Sequence, residues 1–559
     1  MLDNIRIGCA VPDVAVADTR TNTRRICDYI AQAAGESCDV LVFPELALTG
    51  ATCGSLFHQQ LLLDGAQEGL RIICETTVQY PNLTVVVGLP VIETGAVRSC
   101  AAVLRDGKTL GVVYKEQQNN PMFSLPNGST MAVVLGDAPV AAEADVIVHP
   151  AAAVQLAGSR DQRRNMVMER SKGRIYAYCS AGCGESVTDG VYGGHSIIAR
   201  DGGILAENKK LVDGGYLLVT DGCGQPQPVT LRTVSCDEKM PFHTGYEDEI
   251  FQIQAAGLAR RLQLLNAKAV IGVSGGLDST LALLVAVEAM EQLGRPSEDV
   301  IAMTMPGFGT TDRTYDNAME LMRLLGVAVR EIPIREAVRQ HFADIGHDEN
   351  LHDLTYENAQ ARERTQILMD YAGKVGGIVV GTGDLSELAL GWCTYNGDHM
   401  SMYGVNASIP KTLIPEIITK AAKLPQYAAA RDVLQDVIDT PISPELLPPD
   451  ASGKIAQRTE DTVGPYMLHD FFLYHTLKFG AAPKKLYAEA CRVFVVMYDA
   501  DTVKKWLRVF YRRFFTQQFK RNCMPEGVKV LDVTLSPRGD WQMPSDASAA
   551  LWLNEVDML

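Results

Sequence analysis

Val270-Ile-Gly-Val-Ser-Gly-Gly-Leu-Asp-Ser-Thr280 is the stretch whose reading decides the fold. The apolar run from Val270 to Val273, with Gly272 inside it, reads as a buried strand. Ser274, Gly275 and Gly276 follow as a tight loop. From Leu277 the run LDSTLALLVAVEAMEQLG has helical apolar spacing that stops at Gly294. In a strand–glycine loop–helix unit, backbone N–H groups converge on one spot. The helix dipole adds positive potential there, and glycine lets an anion approach the backbone. The loop therefore reads as a phosphate cradle. It contains no GxxxxGK[ST], so no loop lysine for a β- or γ-phosphate, and no GxGxxG dinucleotide fingerprint.

The string SGGLDS (274–279) resembles the loop of the N-type ATP pyrophosphatases, or PP-loop enzymes. These cleave ATP between the α- and β-phosphates and adenylate an oxygen of a second substrate. Composition is compatible with such an enzyme. At 559 residues the chain has room for two or more domains, each with its own core. No run reaches about 18 apolar residues, so no membrane span is expected. The start, MLDNIRIGCAVPD, has neither a basic n-region nor an apolar h-region. The 13 cysteines are scattered without CxxC pairing or metal spacing, which suits reduced thiols and a cytoplasmic protein. A net charge of −16 argues against nucleic acid as the bulk partner.

Before the loop, residues 1 to about 240 read as a layered α/β sandwich. IRIGCAV, DVLVFPELALTG, LTVVVGLPVIE, CAAVLRDGK and LGVVYKEQ each open on a strand-like run, and helices are expected over 22–36 and 161–174. Glu45 in FPELALTG (43–50) ends a buried strand, where a carboxylate is costly without a purpose. FPEL…TG, followed by a strand ending in Lys115, resembles the nitrilase or carbon–nitrogen hydrolase family. AYCSAGCGESVTD (177–189) resembles the same region of the glutamine-hydrolysing amidase domain of NAD synthetases. The resemblance implies a Glu base, a Lys for the oxyanion and a Cys nucleophile. Glu45 and Lys115 match the first two. Gly136, in MAVVLGD (131–137), stands where the cysteine is expected, and no cysteine occurs between Cys100 and Cys179. The loop KEQQNNPMFSLPNGS is short, and Ala153 and Ser159 stand at the glutamine-contacting positions. Glu45 and Lys115 then remain as an amidase remnant, an ion pair holding the fold. Alternatively, Cys179 or Cys183 reaches the pocket as a relocated nucleophile.

The polar stretch 223–243 reads as an interdomain connection, and an amphipathic helix follows over 246–268. Strands are expected in DVIAMTMPG (299–307), GVAVREIPI (326–334) and GGIVVGTGD (376–384), alternating with helices. This is an open parallel sheet with ligands at the strand C-terminal ends. The ordered set SGGLDS, PGFGTTDRT (306–314), ENAQAR (357–362), GTGDLSELALGW (381–392) and NASIPKTLI (406–414) resembles NAD synthetase. Residues 460–486 and 519–541 resemble the C-terminal region of its glutamine-dependent, two-domain form. The expected organisation is an amidase-type domain over 1–240 and a synthetase domain over 246–559.

That resemblance implies amidation of deamido-NAD to NAD. The nicotinate carboxylate attacks the ATP α-phosphate, pyrophosphate leaves, and ammonia displaces AMP. It implies ATP contacts from Gly272, Val273, Ser274, Gly275, Gly276, Leu277, Asp278, Ser279 and Thr382, and deamido-NAD contacts from Asn358, Glu387, Trp392, Cys393, Thr394, Tyr395 and Lys520. Asp278 and Glu387 would hold Mg²⁺ as hard oxygen ligands, and Lys411 would steady the transferring phosphate. Ammonia is the expected nitrogen donor, free or from a separate glutaminase, and the resemblance implies a homo-oligomer. One rival is another N-type ligase, such as GMP synthetase or a tRNA-modifying thiolase; the thiolases need catalytic cysteines near the loop and a basic RNA surface, and neither is seen. A scaffold with both sites dead sits poorly with the intact ATP motif.

Overall fold

The computed structural model describes residues 5–115, 117, 121–139, 143–232, 237–441 and 459–559. Parts of the loop after Lys115 (116 and 118–120) and of the polar connection (233–236) lie outside the described residues. The chain forms two compact units, Met1–Ser186 with Gly190–Thr233, and Val187–Asp189 with Val234–Leu559.

The first unit carries β1 (Arg6–Val11), β2 (Val40–Val42), β3 (Thr84–Glu93), β4 (Ala96–Arg105), β5 (Lys108–Tyr114), β6 (Met122–Ser124), β7 (Thr130–Val133), β8 (Val146–Ala151), β9 (Ile175–Ser180), β10 (Ser196–Arg200), β11 (Gly203–Glu207) and β12 (Tyr216–Asp221). They form two six-stranded sheets, β12-β1-β2-β3-β4-β5 and β11-β10-β9-β8-β7-β6. The two-residue side-chain period of a strand sorts each sheet into two faces. Ile7, Cys9, Val86, Val103, Val146, Val148, Ala177 and Cys179 share the core between the sheets. On the outer face of the first sheet, Val85, Val87 and Leu104 pack with Ile26, Ile30 and Ile73 of α1 (Thr19–Gly35) and α2 (Gln60–Thr76). Ile147, Tyr176 and Tyr178 meet Val167 of α3 (Ser159–Arg170) on the outer face of the second. The layering is helix, sheet, sheet, helix, as a nitrilase-like sandwich requires.

The second unit is built on a parallel sheet of β13 (Lys268–Gly272), β14 (Val300–Thr304), β15 (Ala328–Glu331), β16 (Gly377–Gly381) and β17 (Tyr403–Gly404), in the order β15-β14-β13-β16-β17. Between strands run α4 (Glu247–Leu265), α5 (Leu277–Gln292), α6 (Asp312–Leu324), α7 (Arg335–Ile345), α8 (Leu354–Val375) and α9 (Leu385–Leu390). Helix α4 ends short of the expected residue 268. Asn266 takes a left-handed φ of 48°, and Lys268 already pairs with Gly377. The chain steps outward from β13 to β15, then crosses back to β16 on the other side of β13. The direction of winding reverses between β13 and β16, and open α/β sheets bind ligands at that crevice.

Candidate active site

The SGGLDS loop leaves β13 and enters α5 at that reversal. Gly272 ends β13, Val273 is buried, and Leu277, Asp278 and Ser279 form the first turn of α5. Gly275 has φ 91°, and a β-carbon there would lie 2.0 Å from the Thr314 carbonyl, so only glycine fits. The Ser279 hydroxyl accepts from the Ser274 backbone N–H at 3.2 Å and donates to the Gly276 carbonyl at 3.2 Å, bracing the loop. Beside it, Thr382 follows β16. The buried Asn406 side chain ties the two strand ends together, donating to the Asp278 and Thr382 carbonyls at 3.0 Å each. Asn406 lay inside the NASIPKTLI string, but its role came only with the fold.

Asp278, Asp384 and Glu387 converge on Lys411. The Lys411 ammonium donates to Asp278 Oδ2 at 2.6 Å, Asp384 Oδ2 at 2.9 Å and Glu387 Oε1 at 2.8 Å. Asp384 caps α9, accepting from the Glu387 N–H at 2.8 Å. Burial works against the Lys411 charge, but the three carboxylates outweigh it and hold the ammonium well above the ordinary lysine value. One ammonium cannot balance three carboxylates. Burial, then the charge of Glu387, pushes Asp384 well above the usual carboxylate range, and burial pushes Glu387 up to about 7. Asp278 Oδ1 is buried without a hydrogen-bond partner. Three acids against one ammonium, with Asp384 buried and Asp278 and Glu387 partly buried, an orphaned oxygen, and ligand atoms within 4.8 Å of one another fit a hard divalent cation such as Mg²⁺. Asp384, inside GTGDLSELALGW, is a site residue that the sequence alone does not single out. Tyr466 was also missed: its ring faces the Lys411 ammonium, 5.5 Å from the centroid, and its buried hydroxyl has no partner.

The second residue set gathers around the loop after α9. Thr394 Oγ1 donates to Asn358 Oδ1 of α8 at 2.8 Å. The exposed Tyr395 ring lies near His399 and Phe519, and Trp392 lies under the Arg513 guanidinium at 5.4 Å. Burial pushes the Cys393 thiol far up, so it stays protonated. Lys520 Nζ is turned to the carbonyls of Gly391 at 2.8 Å and Cys393 at 2.7 Å, leaving one of its three donors for anything else.

In the first unit, Lys115 Nζ donates to Glu45 Oε1 at 3.0 Å and Ser99 donates to the same oxygen at 2.7 Å. The pair is buried only at its acid end: the Glu45 side chain is 6% exposed and the Lys115 side chain 44%. Gly136 has φ 65°, and a β-carbon on it would sit 3.4 Å from Lys115 Cε. The glycine thus faces the pair from the expected nucleophile position, with no thiol. Cys179 cannot substitute, because it is sealed between the two sheets and hydrogen-bonds weakly to the Ala10 carbonyl at 3.7 Å. Cys183 lies against Gly214. The Ser159 hydroxyl donates to the Leu156 carbonyl at 2.7 Å, a local contact at the start of α3.

A phosphate loop at a sheet reversal, facing a lysine held by carboxylates, defines an ATP-using ligase centre. A family model for NAD synthase matches residues 252–470, which contain all of these elements. The glutamine-dependent NAD(+) synthetase of Mycobacterium leprae (strain TN) is 34% identical, over 99% of this chain and 98% of its own length. The chain therefore belongs to the glutamine-dependent NAD(+) synthetase family. That alignment runs over 672 positions against the 559 residues here, so the chain lacks segments that this relative carries. A glutamine-dependent NAD(+) synthetase from Cytophaga hutchinsonii superposes with a TM-score of 0.80 at 19% identity, over 99% of this chain and 100% of that one. The Acinetobacter baumannii glutamine-dependent NAD+ synthetase, in complex with ADP, superposes with a TM-score of 0.67 at 19% identity, over 95% and 96%. At those identities the two structures speak for the fold. Among the described residues no helix is long and apolar enough to cross a membrane.

Proposed function

We propose that this NAD synthetase amidates deamido-NAD with ammonia, free or supplied by another protein, and does not hydrolyse glutamine itself. ATP lies with its phosphates on residues 272–279 and near Thr382. The Asn358–Thr394 pair, Glu387, Trp392, Cys393, Tyr395 and Lys520 receive the dinucleotide. Asp278 and Glu387, with Asp384 beside them, would hold Mg²⁺, which when bound neutralises phosphate charge. Lys411 turns its ammonium toward the α-phosphate as the nicotinate carboxylate attacks and pyrophosphate departs. Ammonia then attacks the acyl carbon of the adenylate, and AMP leaves. Both steps gather negative charge, so fixed cations and orientation carry the rate.

The nitrogen source rests on Gly136. Amide hydrolysis through an acyl-enzyme needs a nucleophile beside the base and the oxyanion donor. Glu45 and Lys115 supply only the last two. The relatives are named glutamine-dependent, and the reading rests on Gly136 at the position where the resemblance leads one to expect the nucleophile. The test incubates purified protein with ATP, deamido-NAD and either glutamine or ammonium chloride, measuring glutamate, NAD, AMP and pyrophosphate. NAD from ammonium alone, with no glutamate from glutamine, is the expected result. Glutamate released in step with NAD would overturn the reading, and its loss in Cys183→Ala would identify a relocated thiol.

A further inference from the structure

Helix α9 spans only Leu385–Leu390, too short to hold its shape unaided. Its first turn presents Asp384 and Glu387 to Lys411. Its other end leaves carbonyls that a helix cannot pair internally. Five carbonyls between Leu388 and Cys393 accept from cations of one C-terminal stretch, the helices Ala500–Thr516 and Gln518–Arg521. Arg513 Nε donates to Leu390 at 2.8 Å. Arg521 Nη1 donates to Leu388 at 3.1 Å and to Ala389 at 2.8 Å. Lys520 Nζ takes Gly391 and Cys393.

Arg521 is fully buried, and among the described residues its hydrogen-bond acceptors include no carboxylate. Besides the α9 carbonyls they are Gln518 Oε1 and the Phe514 carbonyl. Burial pushes its pKa down to about 9. A guanidinium taken from water without a counter-ion is costly unless its donors are used, and the negative end of α9 fills that role. Gly391 lets the stretch come this close. It has φ 59°, and a β-carbon on it would lie 2.3 Å from Gln517 Cβ. The attachment reaches the acids directly, because the Trp392 N–H bonds the Glu387 carbonyl at 2.9 Å. All three cations lie beyond residue 470, where the family-model match ends.

We infer that Arg513, Lys520 and Arg521 form a cationic clamp that fixes the carboxyl end of α9, and so sets Asp384 and Glu387 against Lys411 and the 392–395 loop against Asn358. Arg513 and Arg521 are positioning residues for the ligase reaction, and Lys520 adds this role to its proposed contact with the dinucleotide. The inference rests on the proposed reading of the Asp278–Asp384–Glu387 cluster as the ATP end of the site.

The test is Arg521→Lys and Lys520→Gln in the full chain, with Lys520→Arg as the conservative control. Each is measured for thermal unfolding, kcat, the KM for deamido-NAD, and the Mg²⁺ concentration giving half-maximal rate. Misplaced carboxylates should lower kcat by between about tenfold and a hundredfold. They should also raise the Mg²⁺ requirement in folded protein, and Lys520→Arg should recover most of the loss. Should Arg521→Lys fail to fold, the Mg²⁺ requirement of Lys520→Gln carries the test, because losing the dinucleotide contact alone would raise the KM for deamido-NAD and leave the Mg²⁺ requirement at the wild-type value. Folded variants with wild-type kcat and Mg²⁺ requirement, or with only a lower melting temperature, overturn the clamp. Asp278→Asn is run in parallel. If it keeps full turnover, the cluster reading and the clamp both fall. If it loses turnover while the clamp variants do not, the clamp alone falls.

Discussion

Each unit sets a lysine against carboxylate, and the two arrangements are opposites. In the first, one carboxylate meets one ammonium and one hydroxyl: Glu45 Oε1 accepts from both Lys115 and Ser99, and charge balances. In the second, Lys411 faces three carboxylates, and Asp278 Oδ1 and the Tyr466 hydroxyl are left without partners. Balance marks a contact that serves the fold. Imbalance in a buried place marks chemistry to be completed from outside. Residue type alone does not make that distinction, since both sites pair Lys with acid.

The sharpest way to break this comparison is Asp278→Asn. It should lower ammonium-driven NAD formation by about a hundredfold to a thousandfold, read as AMP and pyrophosphate release. A second test concerns the first unit's stability. His149, against the Tyr176 hydroxyl, is held neutral by burial, with Arg170 and Lys115 adding to the effect, and its pKa falls to about 3. The unfolded chain takes up a proton near pH 6.5 that the folded chain refuses until about 3. Stability is therefore complete above that window and falls as pH drops through it, by about 1.4 kcal/mol per pH unit for this group. His149→Gln should remove that slope from urea-melt free energies. Third, Lys115→Met leaves Glu45 with Ser99 alone. It should cost about 1 kcal/mol, the low end for a charged hydrogen bond because the lysine is half exposed, and leave ammonium-driven turnover at the wild-type level. A fall in turnover there would mean the balanced pair still serves catalysis. The smallest effect is expected from Tyr466→Phe, which removes an unpaired buried hydroxyl. The ligand-free protein should be as stable or more stable by up to about 1 kcal/mol. A loss of stability would show that the hydroxyl has a partner.

Sequence carried the reading furthest where a local pattern and a ligand demand coincide. SGGLDS spelled out strand, loop and helix, and the motifs after β13, β14 and β16 mapped onto the sheet's ligand-binding edge. Strand alternation could have gone further. In Ile175–Ser180, Tyr176 and Tyr178 face one side and Ala177 and Cys179 the other, which would have assigned Cys179 to the core between the sheets. Asp384 gave no distinct signal because N-caps and turns favour the same side chains. The clamp had no legible trace. Arg521 binds carbonyls more than 130 positions earlier in the chain, and backbone acceptors carry no residue identity. Helix length in α4 was overrun because Asn266 breaks it by conformation, while its apolar pattern continues.

Gly136 also bears on what a nucleophile at that position would cost. Its φ of 65° is one that glycine adopts freely and a side chain adopts at a cost of about 1 kcal/mol or more. A cysteine at 136 would strain the turn, while its β-carbon would meet Lys115 Cε at an ordinary contact distance of 3.4 Å. On the proposed reading of the first unit, installing a nucleophile at this position therefore begins with a loss of stability.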